Sequence, residues 1–325
     1  MAFGIKGDCV VRTTTLGHGG PVIGRIGLGT MGMSFAYDPQ SRDDSTSLAV
    51  VRRALDLGVS LIDTADVYGP FTNEELVGRA LAGRRDRAVL STKGGVRYDG
   101  TEFTLNGRPE YLRSALEASL RRLRTDYVDI YFLHRIDPQV PVEESWGALS
   151  ELVAEGKARS IGLSEVSLPE VRRARRVHPV AAVQSEFSLF TREFQADVVP
   201  FCREHGIAFL CHSPLGSGLL SGRYSSPADL SEDDFRADMP RFTAESLAAN
   251  MRLVDIVRSV GERHGATSTQ VALAWLLAKG EYVIPIPGTK TERYLEQNVG
   301  AAELVLSSDE LAELDALPAP LGARE

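Results

Sequence analysis

The chain has 325 residues, 43% of them hydrophobic and 25% charged, which supplies apolar side chain for a large globular core and excludes a disordered chain. Its net charge of -8 disfavours nucleic acid or an anionic membrane as an unaided partner, because both are bound by basic surfaces that neutralise phosphates. Three scattered cysteines, Cys9, Cys202 and Cys211, exclude a disulfide framework and show no metal-ligand spacing; with no signal-like start and no membrane-length apolar run, the expected location is cytoplasmic.

In chain order, CVVRTTTLG and PVIGRIGLG around a Gly-rich turn read as a β-hairpin that starts the fold. From Ser45 onward, helical periodicity alternates with short apolar runs. The periodicity predicts helices over Ser45–Leu57, Asn73–Leu81, Pro109–Arg122, Val142–Glu155, Pro169–Arg176, Glu193–His205, Ala244–His264 and Thr269–Lys279. Eight strand-like runs separate them: GRIGLG, VSLID, AVLSTK, VDIYFLH, ARSIGLS, VAAVQSE, IAFLCHS and YVIPIPG. Strands apolar at nearly every position are buried on both faces, as in a parallel sheet covered by helices. Their spacing of roughly 30 residues, with no linker or shift in composition, predicts one domain over residues 1–325, an α/β TIM barrel of the (β/α)8 kind with an N-terminal β-hairpin. The longest irregular stretches, Gly94–Arg108 and Gly216–Thr243, each follow a strand, where a barrel carries its functional loops.

Some signals have plain structural readings. The string GLGTMG, Gly27–Gly32, satisfies a dinucleotide fingerprint, but MSFAYDPQS follows where that fingerprint needs a helix. The acid pairs Asp43/Asp44, Glu74/Glu75 and Glu143/Glu144 open predicted helices and suit the helix dipole. His178, His205 and His264 fall at helix ends without metal spacing, and no metal site is expected. The arginine clusters at Arg84–Arg87, Arg121–Arg124 and Arg172–Arg176 read as solvated faces.

The strand ends carry the chemistry. Asp63 closes the second barrel strand, Lys93 the third and His134 the fourth, while Tyr68 lies five residues past Asp63. A barrel gathers the C-terminal ends of its strands around one mouth, so these four side chains can meet. A tyrosine is a poor acid near neutral pH unless a cation stabilises its phenolate, and a lysine held by an aspartate is such a cation. A histidine beside it can orient a carbonyl, and a tyrosine acid aimed at carbonyl oxygen suits hydride addition at carbon.

The runs GVSLIDTADVYGPFTNEELVGRAL, LSTKGG, DYVDIYFLHRID, GKARSIGLSEVS, VQSEFSL, SPLGSGLLSG and IPIPGTKTERYLEQNVGA follow one another over most of residues 22–300. In that order they resemble the successive signatures of the aldo-keto reductase superfamily, closest to its bacterial single-domain branch. The resemblance implies a NADPH-dependent oxidoreductase that reduces an aldehyde or ketone to an alcohol, with Asp63, Tyr68, Lys93 and His134 as the catalytic centre and Tyr68 as proton donor. It implies cofactor contacts from Gly29, Thr30, Met31, Asp63, Ser164 and Gln184, from His212, Ser213, Pro214, Leu215, Gly216 and Gly218, and from Gly288, Thr289, Lys290, Gln297 and Asn298. Ser164 and Gln184 match positions that hold the nicotinamide carboxamide, and Gly288–Lys290 a turn before a helix N-terminus that offers donors to phosphate.

Four departures bear on the cofactor. His212 stands where an aromatic usually stacks on nicotinamide, Glu165 where Asn is usual, Ser217 where an Arg is frequent, and Tyr294 where an Arg reaches the adenine end. Lys290, with Arg293 as an alternative, remains as the cation for a 2′-phosphate, so NADP(H) is expected ahead of NAD(H). The other expected partner is a small-molecule carbonyl substrate, taken up by a monomer or small homo-oligomer; an open pocket lined by the two long loops would suit aromatic or bulky carbonyls. Two other functions compete: a NADP(H)-binding regulatory module with little turnover, and a Schiff-base aldolase on Lys93, which Asp63 opposes by raising the lysine pKa.

Overall fold

The computed structural model describes residues 11–98 and 101–324. Eight parallel strands run in chain order around one sheet: β1 (Leu28–Gly29), β2 (Leu61–Asp63), β3 (Val89–Gly94), β4 (Val128–Leu133), β5 (Ala158–Ser164), β6 (Ala182–Glu186), β7 (Ala208–His212) and β8 (Val283–Pro285). The register places Asp63 beside Ser91, Lys93 beside Phe132, and Gln184 between Ser164 and Leu210. A parallel bridge between Gly29 and Gly288, with the Gly27 amide donating to the Pro285 carbonyl at 2.9 Å, joins the last strand to the first. The (β/α)8 expectation is met.

The helices are α1 (Asp44–Asp56), α2 (Thr72–Ala80), α3 (Pro109–Leu123), α4 (Val142–Ala154), α5 (Leu168–Val177), α6 (Val198–Glu204), α7 (Ala244–His264), α8 (Ser268–Ala278), α9 (Glu292–Gly300) and α10 (Ser308–Asp315). Their starts follow local chemistry. The Asp43 carboxylate accepts from the Thr46 amide at the head of α1, Ser167 and Glu170 form a reciprocal cap on α5, and Thr267 with Gln270 does the same on α8. Because α8 is buried nearly all round, it lies between the barrel and α7.

Alternate residues along each strand face opposite sides of the sheet. Ile62, Leu90, Tyr131, Leu133, Ile161, Val183, Phe209 and Cys211 join the helix-side core, whereas Leu61, Val89, Ile130, Phe132, Ala182, Ala208, Leu210 and Ile284 form a second cluster inside the barrel. Leu16 and Ile23 complete that inner cluster; they come from the opening hairpin, whose strands Thr13–Thr15 and Val22–Gly24 pair antiparallel. The hairpin is therefore a floor that plugs one end of the barrel. In β5 the interior has room only for glycine: a Cβ on Gly162 would lie 2.3 Å from the Phe132 ring.

Three segments differ from expectation. The helix predicted over Glu193–His205 is a 3-10 turn, Glu193–Ala196, and then α6, because Asp197 leaves helical geometry and its side chain accepts the Val198 amide. Gly94–Arg108 holds an antiparallel hairpin, Val96–Tyr98 with Phe103–Leu105, and Gly216–Thr243 four short 3-10 turns. The glutamate of the Glu74 pair is no dipole ornament: Glu74 is fully buried, accepts from Thr92 Oγ1 at 2.6 Å and pairs with Arg122 at 2.6 Å. Cys202 and Cys211 are free and buried, with burial pushing the Cys202 thiol up to about 12, and Cys9 lies outside the described residues. Among the described residues no helix is long and apolar enough to cross a membrane, and no group of His, Cys, Asp and Glu is placed to hold a metal.

Candidate active site

Continuing upward from the apolar inner cluster, the inward positions turn polar. On β2 the inward residue after Leu61 is Asp63; on β3 Ser91 and Lys93 follow Val89; on β6 Gln184 follows Ala182; and on β7 His212 follows Leu210. The pleat thus delivers the polar residues to the mouth by parity alone.

Lys93 is the hub. Its ammonium, 1% exposed, donates to Asp63 Oδ2 at 2.6 Å, the Thr64 carbonyl at 2.9 Å and Tyr68 Oη at 3.2 Å. Three acceptors satisfy its three donors. The other oxygen of Asp63 accepts from Ser91 Oγ at 2.7 Å and Gln184 Nε2 at 2.9 Å, so a buried ion pair is fully hydrogen-bonded, the condition under which such a pair survives desolvation. Burial pulls the Lys93 pKa down, but Asp63 and then Tyr68 overcome it and leave it above the ordinary lysine value. A lysine so charged is a poor Schiff-base nucleophile, which opposes the aldolase alternative.

Tyr68 is set by the turn that follows β2. Its amide bonds to the Ala65 carbonyl, and Asn73 bonds from its amide to the Tyr68 carbonyl and from its side chain to the Thr30 carbonyl at 2.8 Å, tying this turn to the one after β1. Gly69 sits at φ +87, where a Cβ would fall 2.1 Å from Thr72 Oγ1. Burial pushes the Tyr68 phenol up more than Lys93 pulls it down, so the side chain keeps its proton. His134 meets the Tyr68 ring edge-to-face at 6.0 Å. Burial, then the Lys93 and Arg135 charges, holds its pKa well below the ordinary histidine value, and its Nδ1 is buried without a partner among the described residues. The four predicted residues therefore converge; Ser91, Thr64 and Asn73, which support them, were not singled out, although Ser91 shares the inward parity of Lys93 two residues on.

Across the mouth, Ser164 is buried with Arg135 Nη1 at 3.4 Å from its hydroxyl. Gln184 gives one of its two amide N–H groups to Asp63, which leaves its amide oxygen to meet a ligand. Glu165 does not face an open ligand position: Oε1 accepts from the Glu186 amide at 2.6 Å and lies 2.8 Å from His212 Nε2, and Oε2 accepts from Arg324 at 2.7 Å. Sequence reading gave no role to Arg324.

The segment from Ser213 through Gly218 is a run of tight turns, Gly216 amide to Ser213 carbonyl and Gly218 amide to Leu215 carbonyl, with Ser213 and Ser217 at positive φ. Burial pushes the Tyr37 phenol up, with Ser217 and Arg236 opposing it. The stretch beyond crosses to the loop after β1: Asp234 accepts the Asp38 amide at 2.8 Å, the Phe235 amide donates to Ala36, and Arg236 packs over Tyr37. Lys290 closes the same strap, donating to the Asp38 carbonyl at 3.0 Å and the Tyr37 carbonyl at 3.3 Å. Gly288 lies beside Gly29 at the barrel seam; Asn298 is buried in α9, and Tyr294 is exposed. A separate open groove of about 770 Å³ runs over the outer face of α2, lined among others by Arg42, Asp44, Glu75, Arg79 and Arg121; it includes none of the four mouth residues.

A closed (β/α)8 barrel with Asp, Tyr, Lys and His in one mouth defines a class. The Aldo/keto reductase family profile matches residues 25–319, and the chain belongs to that family, whose members are oxidoreductases of small carbonyl compounds. Among curated relatives, a probable aldo-keto reductase of Glycine max is 42% identical over 312 residues, 95% of this chain and 89% of that one. Among solved structures, a glycerol dehydrogenase from Gluconobacter oxydans superposes with a TM-score of 0.84 at 29% identity, covering 95% of each chain. An aldo-keto reductase from Klebsiella pneumoniae, crystallised with NADPH, matches with a TM-score of 0.74 at 29% identity over 97% of this chain and 98% of that one.

Proposed function

We propose that the protein reduces aldehydes or ketones to alcohols with NADPH, and that Tyr68 is the proton donor. The observation that carries this reading is the 3.2 Å contact from Lys93 Nζ to Tyr68 Oη, with the same ammonium locked to Asp63 at 2.6 Å. When bound, the nicotinamide supplies the hydride to the carbonyl carbon. Tyr68 enters as a protonated phenol, because burial outweighs the lysine, and gives its proton to the carbonyl oxygen. As that proton leaves, Lys93 donates to the phenolate from a fixed place, a stabilisation that grows as charge develops. Asp63 keeps the ammonium charged and aimed. His134, neutral at physiological pH and with Nδ1 unpartnered among the described residues, has one hydrogen bond to give to the carbonyl.

The mouth fits a nicotinamide cofactor by its donor set: Ser164, the Gln184 amide oxygen and the His212 ring stand at the tops of β5, β6 and β7. The turns of Ser213–Gly218 and the Gly288–Lys290 turn before α9 are assigned to the phosphates, with Lys290 favouring the 2′-phosphate over its absence. The substrate side is assigned to the hairpin after β3, whose Phe103 packs on Tyr98 at 4.7 Å and on Phe35 at 5.9 Å. Such an aromatic wall suits bulky or aromatic carbonyls.

The test is Tyr68→Phe. We expect NADPH binding, followed by nucleotide fluorescence, to persist while carbonyl reduction falls by about 100-fold or more. Unchanged turnover would sink the proposed role. Tight NADPH binding by the native protein with no turnover on a broad aldehyde and ketone panel would favour the regulatory module instead.

A further inference from the structure

A cation at the mouth, Arg135, has no carboxylate partner among the described residues. It follows His134 at the top of β4, and its Nη1 donates to the His134 carbonyl at 2.9 Å and lies 3.4 Å from Ser164 Oγ at the top of β5. Ser164 shares the inward parity of Gly162, so this contact holds the guanidinium over the rim. The other cations around the mouth are neutralised, Lys93 by Asp63, Arg324 by Glu165 and Arg236 by Asp234. Asp137, the acid closest to Arg135 along the chain, is buried and turned elsewhere: it accepts from the Gly107 amide at 3.0 Å and the Gln139 amide at 2.8 Å.

An arginine carries five N–H donors in a planar fork. Two belong to Nη1 and are directed at the His134 carbonyl and Ser164. The three on Nε and Nη2 meet no acceptor among the described residues, and both atoms keep contact with solvent. That open edge has the shape a carboxylate matches with two parallel hydrogen bonds. A partly buried charge without a partner is unfavourable, and an incoming anion relieves it.

Position says which anion. The Arg135 carbonyl lies beside Gly95, where a Cβ would meet it at 3.6 Å, and Asp137 holds the Gly107 amide, so this turn stands between the two roots of the hairpin assigned to the substrate. On its other side is the reaction centre: after burial and the Lys93 charge, the Arg135 charge also acts on both Tyr68 and His134. The cofactor phosphates are assigned to the turns after β7 and β8, whereas Arg135 follows β4 on the far side of the ring of strands. An anion at Arg135 therefore arrives on the substrate.

We propose that Arg135 is a specificity-determining residue whose open guanidinium edge takes a carboxylate of the substrate, so that the preferred substrates are oxo acids, carbonyl compounds with a carboxylate a few bonds from the reacting carbon. The proposal rests on the carbonyl-reductase reading and narrows its substrate class. An oxo acid bound this way is held at two points, its carboxylate on Arg135 and its carbonyl oxygen between Tyr68 and His134, which fixes the carbon for hydride attack.

The experiment compares kcat/KM at pH 7 for 3-carboxybenzaldehyde, 4-carboxybenzaldehyde and 4-oxobutanoate, each against its neutral methyl ester, with NADPH and the full chain. We expect the acid to be preferred in the best pair by about tenfold or more, the scale of a charge-assisted hydrogen bond, and the preference to narrow as salt is raised. Arg135→Gln should cut the acid-to-ester ratio by about 10- to 100-fold, chiefly through KM of the acid, and Arg135→Lys should restore part of it as a point charge without the fork. Because the ratio is read within one variant, general damage to the fold or to Tyr68 cancels. A native ratio near one in all three pairs, or a preference for the acid that survives Arg135→Gln, overturns the proposal. Equal losses for acid and ester together with weaker NADPH binding also overturn it, and assign Arg135 to the cofactor. Should Arg135→Gln fail to fold, the native protein decides: an acid preference indifferent to salt overturns the proposal. Failure of the parent reading looks different, because then neither acids nor esters are reduced at all, and the proposal falls with it.

Discussion

The two sides of the barrel mouth are built from the same residue types on opposite logic. On the β2–β3 side, one ammonium and one carboxylate neutralise each other completely, and Ser91, Gln184 and the Thr64 carbonyl take up the remaining hydrogen-bonding capacity. On the β5–β7 side, Glu165, Glu186 and Glu193 share Arg324 and Arg241, with His212 between them. The first is a sealed pair whose charges move little. The second is an adjustable cluster in which one guanidinium serves several carboxylates. A rigid half suits proton delivery from a fixed atom, the step proposed for Tyr68.

The sharpest way to break the rigid half is to remove its cation. Lys93→Met leaves Asp63 buried without its ion partner, and we expect a loss of about 3–5 kcal/mol in denaturant unfolding together with near-complete loss of turnover. A variant that unfolds at the native midpoint would contradict the sealed-pair description. The adjustable half responds to pH instead. Because the Glu165 carboxyl is held below its ordinary value, its contribution to stability is fully present above the unfolded-state pKa near pH 4.3 and is lost as pH falls. Urea unfolding between about pH 6 and 3 should therefore show the native protein losing at least about 1 kcal/mol more than Glu165→Gln. Parallel acid limbs would show that the donors around Glu165 are not holding its charge. The smallest effect is expected at the tail clamp: Asn250→Ala removes two hydrogen bonds to Leu321, should cost about 1–2 kcal/mol, and should expose the tail to proteolysis. A tail that stays protected would place the anchor elsewhere, at Arg241 or Gly322.

The same contrast explains what could be read from the chain alone. Asp63, Lys93 and His134 were legible because they close apolar runs, and a parallel barrel places all such closures on one rim. Tyr68 followed from its short distance to Asp63. Glu165 was visible only as an unusual residue, since nothing local announces a positive φ that redirects its carboxylate to His212 and Arg324. Arg324 was illegible, because its position depends on a tail path set by α7, more than 70 residues upstream at Asn250. The hairpin at Val96–Tyr98 and Phe103–Leu105 escaped notice for another reason: each strand is only three residues long and largely exposed, so the alternation in VRY and FTL is too brief to stand out. Lys290 was expected to meet a phosphate directly, yet its ammonium also fastens the strap at Tyr37 and Asp38, a second employment that spacing cannot reveal.

Leu16 and Ile23, packed against Leu61, Val89 and Phe132, turn the barrel from a tube into a cup. A cup has a single opening, so solvent, cofactor and carbonyl all approach Tyr68 from one side. In the proposed reaction, the proton given by Tyr68 would be replaced along the path by which the alcohol departs. The floor of apolar side chains offers water no second route to the site.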